Sequence, residues 1–205
     1  MTAQTEATHR IAGLILAAGE STRMGRDKAL LMYRGSTFLE SIITTLRGAG
    51  SERIVVVLGH HAADIERATN LANVEVLINA DYRRGQTSSL QRGLKALMGE
   101  PVEGVVLSLV DHPAVRAETI AKLIATFTPS LAPVVIPTHQ GQRGHPVLIG
   151  RALFEELLGL PPDAGANTVI RKYRASTQWV EVDDAGVLTD VDDLEAYQKF
   201  RSSLV

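Results

Sequence analysis

The sequence LAAGESTRMGRDK occupies residues 16–28 and continues directly from the apolar run IAGLIL at residues 11–16. A short, fully apolar run is typical of a strand that is buried on both faces, as strands of parallel sheets are. In open sheets of this kind, ligands bind outside the carboxyl ends of the strands. A glycine-rich, charged loop at this position therefore predicts a mostly parallel sheet with a ligand-binding site at the carboxyl end of its first strand.

The alternation of apolar runs with amphipathic stretches continues along the chain. Further buried strands are predicted at residues 54–58, 74–78, 104–110, 134–136 and 146–149. Apolar residues at helical spacing predict helices at residues 37–47, 87–98, 117–127, 153–158, 168–173 and 194–200. This order of elements favours an α/β fold, in which helices cover both faces of a mostly parallel sheet.

Composition narrows the class of protein. The chain has 205 residues, of which 45% are hydrophobic and 21% charged, as in ordinary globular proteins. We expect one domain over residues 1–205, with the polar residues 1–10 as a disordered tail. The formal net charge of -2 argues against a nucleic-acid partner. The absence of cysteine excludes disulfides, a thiolate nucleophile and Cys-ligated metal sites.

The sequence also contains no signal for a membrane. No apolar run approaches the ~20 residues that cross a bilayer, and residues 1–10 lack the apolar region of a secretory signal. We therefore expect a cytoplasmic protein without a membrane partner.

The loop after the first strand has the features of a cradle for a polyphosphate. Gly19 and Gly25 allow backbone N–H groups to approach an anion closely, and Ser21 adds a hydroxyl. Arg23 and Lys28 add two cations. The spacing is neither that of a Walker A motif nor that of a G-x-G-x-x-G motif. The alternative is a glycine-rich surface turn with incidental charges, but the preceding strand favours the cradle.

Two acidic segments are candidates for holding a divalent cation. Asp111 follows a predicted strand, so its carboxylate faces the same crevice as the loop, and Mg²⁺ favours one or two carboxylates plus substrate phosphates. Five aspartates lie within residues 183–193. The structural alternatives are that Asp111 caps a short turn and that Asp192 or Asp193 caps the last predicted helix.

Two polar segments are candidates for contact with substrates. GQTSSL, residues 85–90, opens a predicted helix, where Thr87 or Ser88 is expected to be the N-cap and where free N–H groups also suit a nucleotide. QGQRGHPV, residues 140–147, has glycines that fit a hairpin turn. A turn does not by itself explain why Arg143 and His145 stand together.

These segments resemble the motifs of the small nucleotidyltransferases, and specifically of the molybdenum cofactor cytidylyltransferase and guanylyltransferase group. The resemblance includes LAAGESTRMGRDK, GQTSSL, VDHP at residues 110–113, RGHPV at residues 143–147 and DVD at residues 190–192. It implies a three-layer αβα sandwich, the Rossmann-like fold of the nucleotide-diphospho-sugar transferases. It also implies Mg²⁺-dependent transfer of CMP from CTP to the phosphate of the molybdenum–pterin cofactor, with release of pyrophosphate.

The resemblance extends to single residues. It implies catalytic roles for Arg23, Lys28 and Asp111, and metal ligation by Asp111 and Asp190, with Asp192 in a supporting place. The alternative is that Asp192 rather than Asp190 is the second ligand. The second substrate is expected at Arg143, Gly144 and His145. The nucleotide is expected to contact Leu16, Ala17, Ala18, Gly19, Ser21, Arg23, Gly25, Lys28, Gly85, Ser88 and Ser89.

The choice of substrates stays open at this stage. LAAG is similar to the cytidylyl branch of the family, whereas the guanylyl branch more often has LAGG. His112 stands where the family usually has Gln, and Asn167 stands where Arg is common. The alternatives are use of GTP, transfer to a sugar or polyol phosphate, and a non-catalytic carrier of the pterin cofactor. A molybdoenzyme or its chaperone is the expected protein partner.

Overall fold

The computed structural model describes residues 10–161 and 164–202, so the expected disordered tail lies, except for Arg10, outside the described residues. The described chain alternates between strands and helices. The strands are β1 (Ile11–Ala17), β2 (Met32–Tyr33), β3 (Ser36–Thr37), β4 (Ile54–Leu58), β5 (Glu75–Ile78), β6 (Gly104–Leu109), β7 (Val134–His139), β8 (Gln142–Arg143), β9 (Val147–Gly150) and β10 (Gln178–Glu181). The α-helices are α1 (Phe38–Gly48), α2 (Ala62–Ala68), α3 (Gln86–Leu97), α4 (Ala117–Ser130), α5 (Phe154–Leu158), α6 (Asn167–Lys172) and α7 (Leu194–Ser202).

The main sheet is mixed but mostly parallel, and its strands run in the order β10-β7-β9-β6-β1-β4-β5. Strand β1 pairs in parallel with both β4 and β6. Strand β9 is antiparallel to β6 and to β7, so β6 and β7 run in the same direction. The carboxyl ends of β1, β4, β6 and β7 therefore meet at one edge of the sheet, called the rim below.

Helices cover both faces of this sheet. Alternate residues of β1 point to opposite faces, so Ile15 packs in one apolar cluster with α1 and α4, and Leu14 packs in another with α3, α5 and α6. A third cluster joins α7 to the loop after β1 and contains Met24, Phe38 and Tyr197. The α/β class and the three-layer sandwich predicted from the sequence are confirmed.

Helix α1 begins with a capping box. The Thr37 hydroxyl accepts a hydrogen bond from the Glu40 N–H, and the Glu40 carboxylate accepts one from the Thr37 N–H. The other carboxylate oxygen of Glu40 accepts from the Asn70 N–H, so this side chain also holds the segment after α2. These hydrogen bonds lower the pKa of Glu40, with those from Asn70 and Thr37 as the main causes.

The structure differs from the predicted elements at both edges of the sheet. The predicted strand at residues 74–78 is only half buried, because β5 is an edge strand. Strand β10 forms the other edge, and only Val180 of its four residues is buried, so it lacks an apolar run. Helix α2 is short and buries only Ile65.

Among the described residues, no helix is long and apolar enough to cross a membrane.

Candidate active site

A cleft of about 360 Å³ opens at the rim, above the carboxyl ends of β1 and β6. The loop after β1 forms one wall, and the start of α3 forms another. Of the residues predicted to contact the nucleotide, the cleft is lined by Leu16, Ala17, Ala18, Gly19, Ser21, Arg23, Lys28, Gly85 and Ser89. The sequence motifs thus come together in space although they are far apart in the chain.

The loop after β1 is held open by its own hydrogen bonds. Ser21 adopts a left-handed conformation with φ of 50°, and its hydroxyl accepts from the Lys28 N–H at 3.2 Å. Met24 is buried and anchors the far side of the loop. No hydrogen bond runs from the N–H groups of Gly19, Glu20 or Ser21 to residues 10–161 or 164–202. These donors are therefore available to an anion.

Lys28 joins the two acidic segments. Its ammonium group lies 2.7 Å from Asp192 Oδ1 and 3.5 Å from Asp111 Oδ2. The Lys28 side chain is only 11% exposed, whereas Arg23, 3.4 Å from Asp192 Oδ2, is 69% exposed. The hydrogen bond from Lys28 lowers the pKa of Asp192, so this carboxylate is ionised at neutral pH. Asp111, Asp192, Lys28 and Arg23 thus bring two carboxylates and two cations together at one wall of the cleft.

The second oxygen of Asp111 fits a metal ligand. Asp111 Oδ1 is buried and has no hydrogen-bond partner among the described residues; His112 Nε2 lies 3.9 Å away, beyond hydrogen-bond distance. A buried carboxylate oxygen without a partner is costly unless a ligand satisfies it. No group of three or more acidic or histidine side chains in the described part of the chain is arranged to hold a metal. Two carboxylates completed by substrate phosphates suit Mg²⁺.

The structure assigns different surroundings to the aspartates near the carboxyl terminus. Asp192, predicted to play a supporting part, lines the cleft, whereas Asp190 is exposed and is absent from the lining. Val191 between them is buried and packs in the third apolar cluster. Asp193 accepts from the Ala196 N–H and is the predicted cap of α7. Among the described residues Asp111 Oδ1 has no partner and Oδ2 contacts Lys28, so Asp111 does not cap the turn that follows it.

The start of α3 differs from the predicted cap. Gly85 is the N-cap, and neither Thr87 nor Ser88 caps the helix with its side chain. The Thr87 hydroxyl instead donates to the Ala164 carbonyl, and Ser88 donates to backbone carbonyls of Asp81 and Gly85. Ser88 is therefore outside the cleft lining, contrary to expectation, since its hydroxyl faces the turn before the helix.

Two side chains that the sequence analysis did not single out hold the walls of the cleft. Tyr82 lines the cleft and donates from its hydroxyl to Glu20 at 3.2 Å; Arg83 also pairs with Glu20. Asp27 lines the cleft and pairs with His61 at 3.1 Å. Gly25, predicted to contact the nucleotide, is outside the lining; its φ of 68° ends the short turn instead.

The predicted second-substrate residues divide into two environments. Arg143 is exposed on β8, after a two-residue hairpin turn at Gln140 and Gly141. Gly144 is buried against Val187, whose carbonyl oxygen would lie 2.5 Å from an added Cβ, so close packing explains this glycine without a ligand. The His145 ring lies 4.8 Å from the His112 ring, and burial lowers the pKa of His145 to about 4.

Proteins of known structure are similar to this chain in both sequence and fold. A crystal structure of Rv0371c from Mycobacterium tuberculosis H37Rv aligns with a TM-score of 0.83 and 31% identity, covering 97% of this chain and 98% of the other. A complex of that protein with manganese aligns with a TM-score of 0.79 and 28% identity, covering 95% and 99%.

Two relatives of known name are named for different activities, one as an oxidoreductase and one as a nucleotidyltransferase. The nicotine blue oxidoreductase of Paenarthrobacter nicotinovorans is 29% identical, covering 90% of this chain and 93% of that protein. The molybdenum cofactor cytidylyltransferase of Escherichia coli (strain K12) is 26% identical, covering 87% and 89%. The family model described as a MobA-like NTP transferase domain matches residues 13–177, most of the chain and nearly all of the cleft. The chain therefore belongs to the MobA-like NTP transferases, a family of nucleotidyltransferases.

Proposed function

We propose that this protein transfers CMP from CTP to the phosphate of a molybdenum-bound pterin cofactor and releases pyrophosphate. The observation that carries the proposal is the position of Lys28 between Asp111 and Asp192, beside a loop whose amides are open to an anion. This arrangement neutralises a triphosphate and leaves two carboxylates for a divalent cation.

The chain's residues act by positioning and by neutralising charge. The amides of Gly19, Glu20 and Ser21 and the cations of Arg23 and Lys28 hold the triphosphate. An anionic phosphate oxygen of the acceptor forms a bond to the α-phosphorus, and the bond from that phosphorus to the bridging oxygen of pyrophosphate breaks. Because the attacking oxygen is already ionised, no general base is required. Most of the rate enhancement comes from alignment and electrostatics.

Asp111 and Asp192 are the residues that would hold Mg²⁺. The unpartnered, buried Asp111 Oδ1 supports this assignment, as does the manganese complex of the similar mycobacterial protein. When bound, the cation neutralises phosphate charge that develops during transfer. Asp192 rather than Asp190 is the second ligand, because Asp192 lines the cleft.

CTP is proposed over GTP because LAAG precedes the loop and because a relative of similar length is named a cytidylyltransferase. The direct test measures pyrophosphate release by purified protein with Mg²⁺ and each of the four NTPs, with and without molybdenum cofactor. Release that requires both CTP and the cofactor supports the proposal; release with GTP, or with a sugar phosphate as acceptor, contradicts it. Asp111→Asn is expected to lower turnover by at least ~10²-fold, whereas the exposed Asp183→Asn serves as a matched control.

An oxidoreductase activity is the second candidate, favoured by the name of the relative with 29% identity. The same preparation can be tested for turnover of nicotine blue. Such turnover, by protein that releases no pyrophosphate from any NTP, would favour this candidate over nucleotidyl transfer.

A further inference from the structure

A second, larger cleft lies at the β10 end of the sheet. Its volume is about 810 Å³, and it is bounded by the edge strand β10, its neighbour β7, the hairpin strand β8, α6 and the turn after α6. Ile136 and Ile170 in its wall pack in the cluster that also contains α3 and α5. The cleft is therefore on the sheet face covered by α3, whose first residues line the rim cleft. We refer to it as the edge cleft.

The edge cleft concentrates positive charge. Arg143 of β8, Arg171 of α6 and Arg174 of the following turn all line it, and no aspartate or glutamate of the described residues does. None of the three guanidinium groups forms an ion pair or hydrogen bond with residues 10–161 or 164–202. By contrast, Arg53 pairs with two glutamates. In a chain with a net charge of -2, three unneutralised arginines in one cleft favour an anionic ligand.

The edge cleft also exposes a flat aromatic surface. Trp179 of β10 lines it and is 46% exposed, and it is the single tryptophan of the chain. An exposed indole next to arginines offers a stacking surface to a planar ring, while the guanidinium groups bind anionic substituents. The hydroxyls of Thr138 and Thr177 already bond to Glu181 and to the Tyr173 carbonyl. The groups that remain available to bind a ligand are therefore the indole of Trp179 and the three guanidinium groups.

The edge cleft reaches the rim through β8. Thr138 at the end of β7 pairs with Arg143, and β7 runs parallel to β6, after which Asp111 follows. His145 follows Arg143 by two residues, and its ring lies 4.8 Å from the ring of His112. Strand β8 and the segment after it therefore lie between the edge cleft and the segment that carries Asp111.

We infer that the edge cleft binds the ring portion of the acceptor, a planar heterocyclic anion, through Trp179, Arg143, Arg171 and Arg174. The identification of this ligand as the acceptor rests on the proposed function. The presence of a site for a planar anion rests on the cleft alone.

The test uses pterin-6-carboxylate as the probe, with isothermal titration calorimetry of the full chain. We expect saturable binding that excess CTP does not displace, with 6-hydroxymethylpterin, the neutral ring, and inorganic phosphate, the anion without the ring, both binding at least ~10-fold more weakly. Arg171→Gln and Arg174→Gln each weaken binding by ~10-fold or more. Trp179→Phe keeps most of the affinity and Trp179→Ala loses it. The exposed Arg92→Gln is the matched control and binds like the original chain.

Several results would overturn the inference. Displacement of the probe by CTP would put the probe in the rim cleft, and equal affinities in the Arg171, Arg174 and Arg92 variants would remove the arginines from the site. The two proposals fail separately. If CMP transfer occurs but the edge-cleft variants change neither probe affinity nor the KM for the acceptor, the edge-cleft inference is wrong and the proposed function stands. If the probe binds with the expected arginine dependence but no NTP supports transfer, the proposed function is wrong and the binding site stands.

Discussion

Lys28 Nζ lies 2.7 Å from Oδ1 of Asp192, a residue 164 positions later in the chain. This pair joins the loop after β1 to the segment before α7, and the buried cluster of Met24, Phe38 and Tyr197 holds the two segments together. The contact thus depends on packing that the loop itself does not provide. It closes the cleft on the side where the triphosphate and its cation are proposed to bind.

Replacement of Lys28 by Met is expected to reduce kcat/KM for CTP by about 10²- to 10³-fold, because it removes a cation aimed at phosphate charge. Steady-state pyrophosphate release measures the effect. Lys95→Met, at an exposed position of α3, is the matched control and retains the original rate. Unchanged kinetics for Lys28→Met, in protein with an unchanged circular dichroism spectrum, would remove Lys28 from the site.

Replacement of Glu40 by Gln is expected to lower the free energy of unfolding at pH 7 by about 0.5–2 kcal/mol. The carboxylate accepts from Thr37 N–H through one oxygen and from Asn70 N–H through the other, whereas Gln offers one acceptor. Urea denaturation measures the loss. The exposed Glu66→Gln, in α2, is the control and is expected to leave the stability unchanged.

The contribution of Glu40 also depends on pH. Since folding lowers its pKa from 4.5, the folded state binds this proton less tightly than the unfolded state. The stabilisation is fully present above the unfolded pKa and is lost as the pH falls through the lowered folded pKa. The stability gap between the original chain and Glu40→Gln should therefore narrow below about pH 4. A gap that stays constant down to pH 3 would contradict the proposed role of the charge.

Replacement of Gly144 by Ala is expected to destabilise the protein by about 1–3 kcal/mol, since the new Cβ would lie 2.5 Å from the Val187 carbonyl oxygen. Gly99→Ala is the control, because its Cβ meets nothing within 4 Å. Urea denaturation compares the two. A Gly144→Ala variant that is as stable as the original but has a raised KM for the acceptor would show that this glycine contacts the substrate rather than packing.

The sequence was sufficient to predict which residues come together at the rim where their position depends on local order. Gly19, Lys28 and Asp111 follow buried strands, and parallel strands bring their carboxyl ends to one edge regardless of the rest of the fold. Asp192 could not be distinguished from Asp190 in this way. Which of two alternating carboxylates faces Lys28 depends on how Val191 packs against the third apolar cluster, which is a long-range property.

The elements that the sequence analysis missed have weak apolar patterns for a physical reason. Strand β10 lies at the sheet edge and buries one residue, and α2 also buries one, so neither has a periodic signal. The N-cap of α3 was predicted wrongly because Thr87 hydrogen-bonds to Ala164, a contact between distant segments. The edge cleft was not predictable either, since its arginines and its tryptophan come from β8, α6, the turn after α6 and β10, which line one cleft only in the folded chain.

The proposed metal site is tested most directly by a titration of Mn²⁺ in the presence of CTP, followed by electron paramagnetic resonance, in the original chain and in Asp192→Asn and Asp190→Asn. We expect Asp192→Asn to weaken Mn²⁺ binding by ~10-fold or more, because Asp192 lines the cleft with Asp111, and Asp190→Asn to bind like the original chain. Loss of binding in Asp190→Asn with full binding in Asp192→Asn would contradict it.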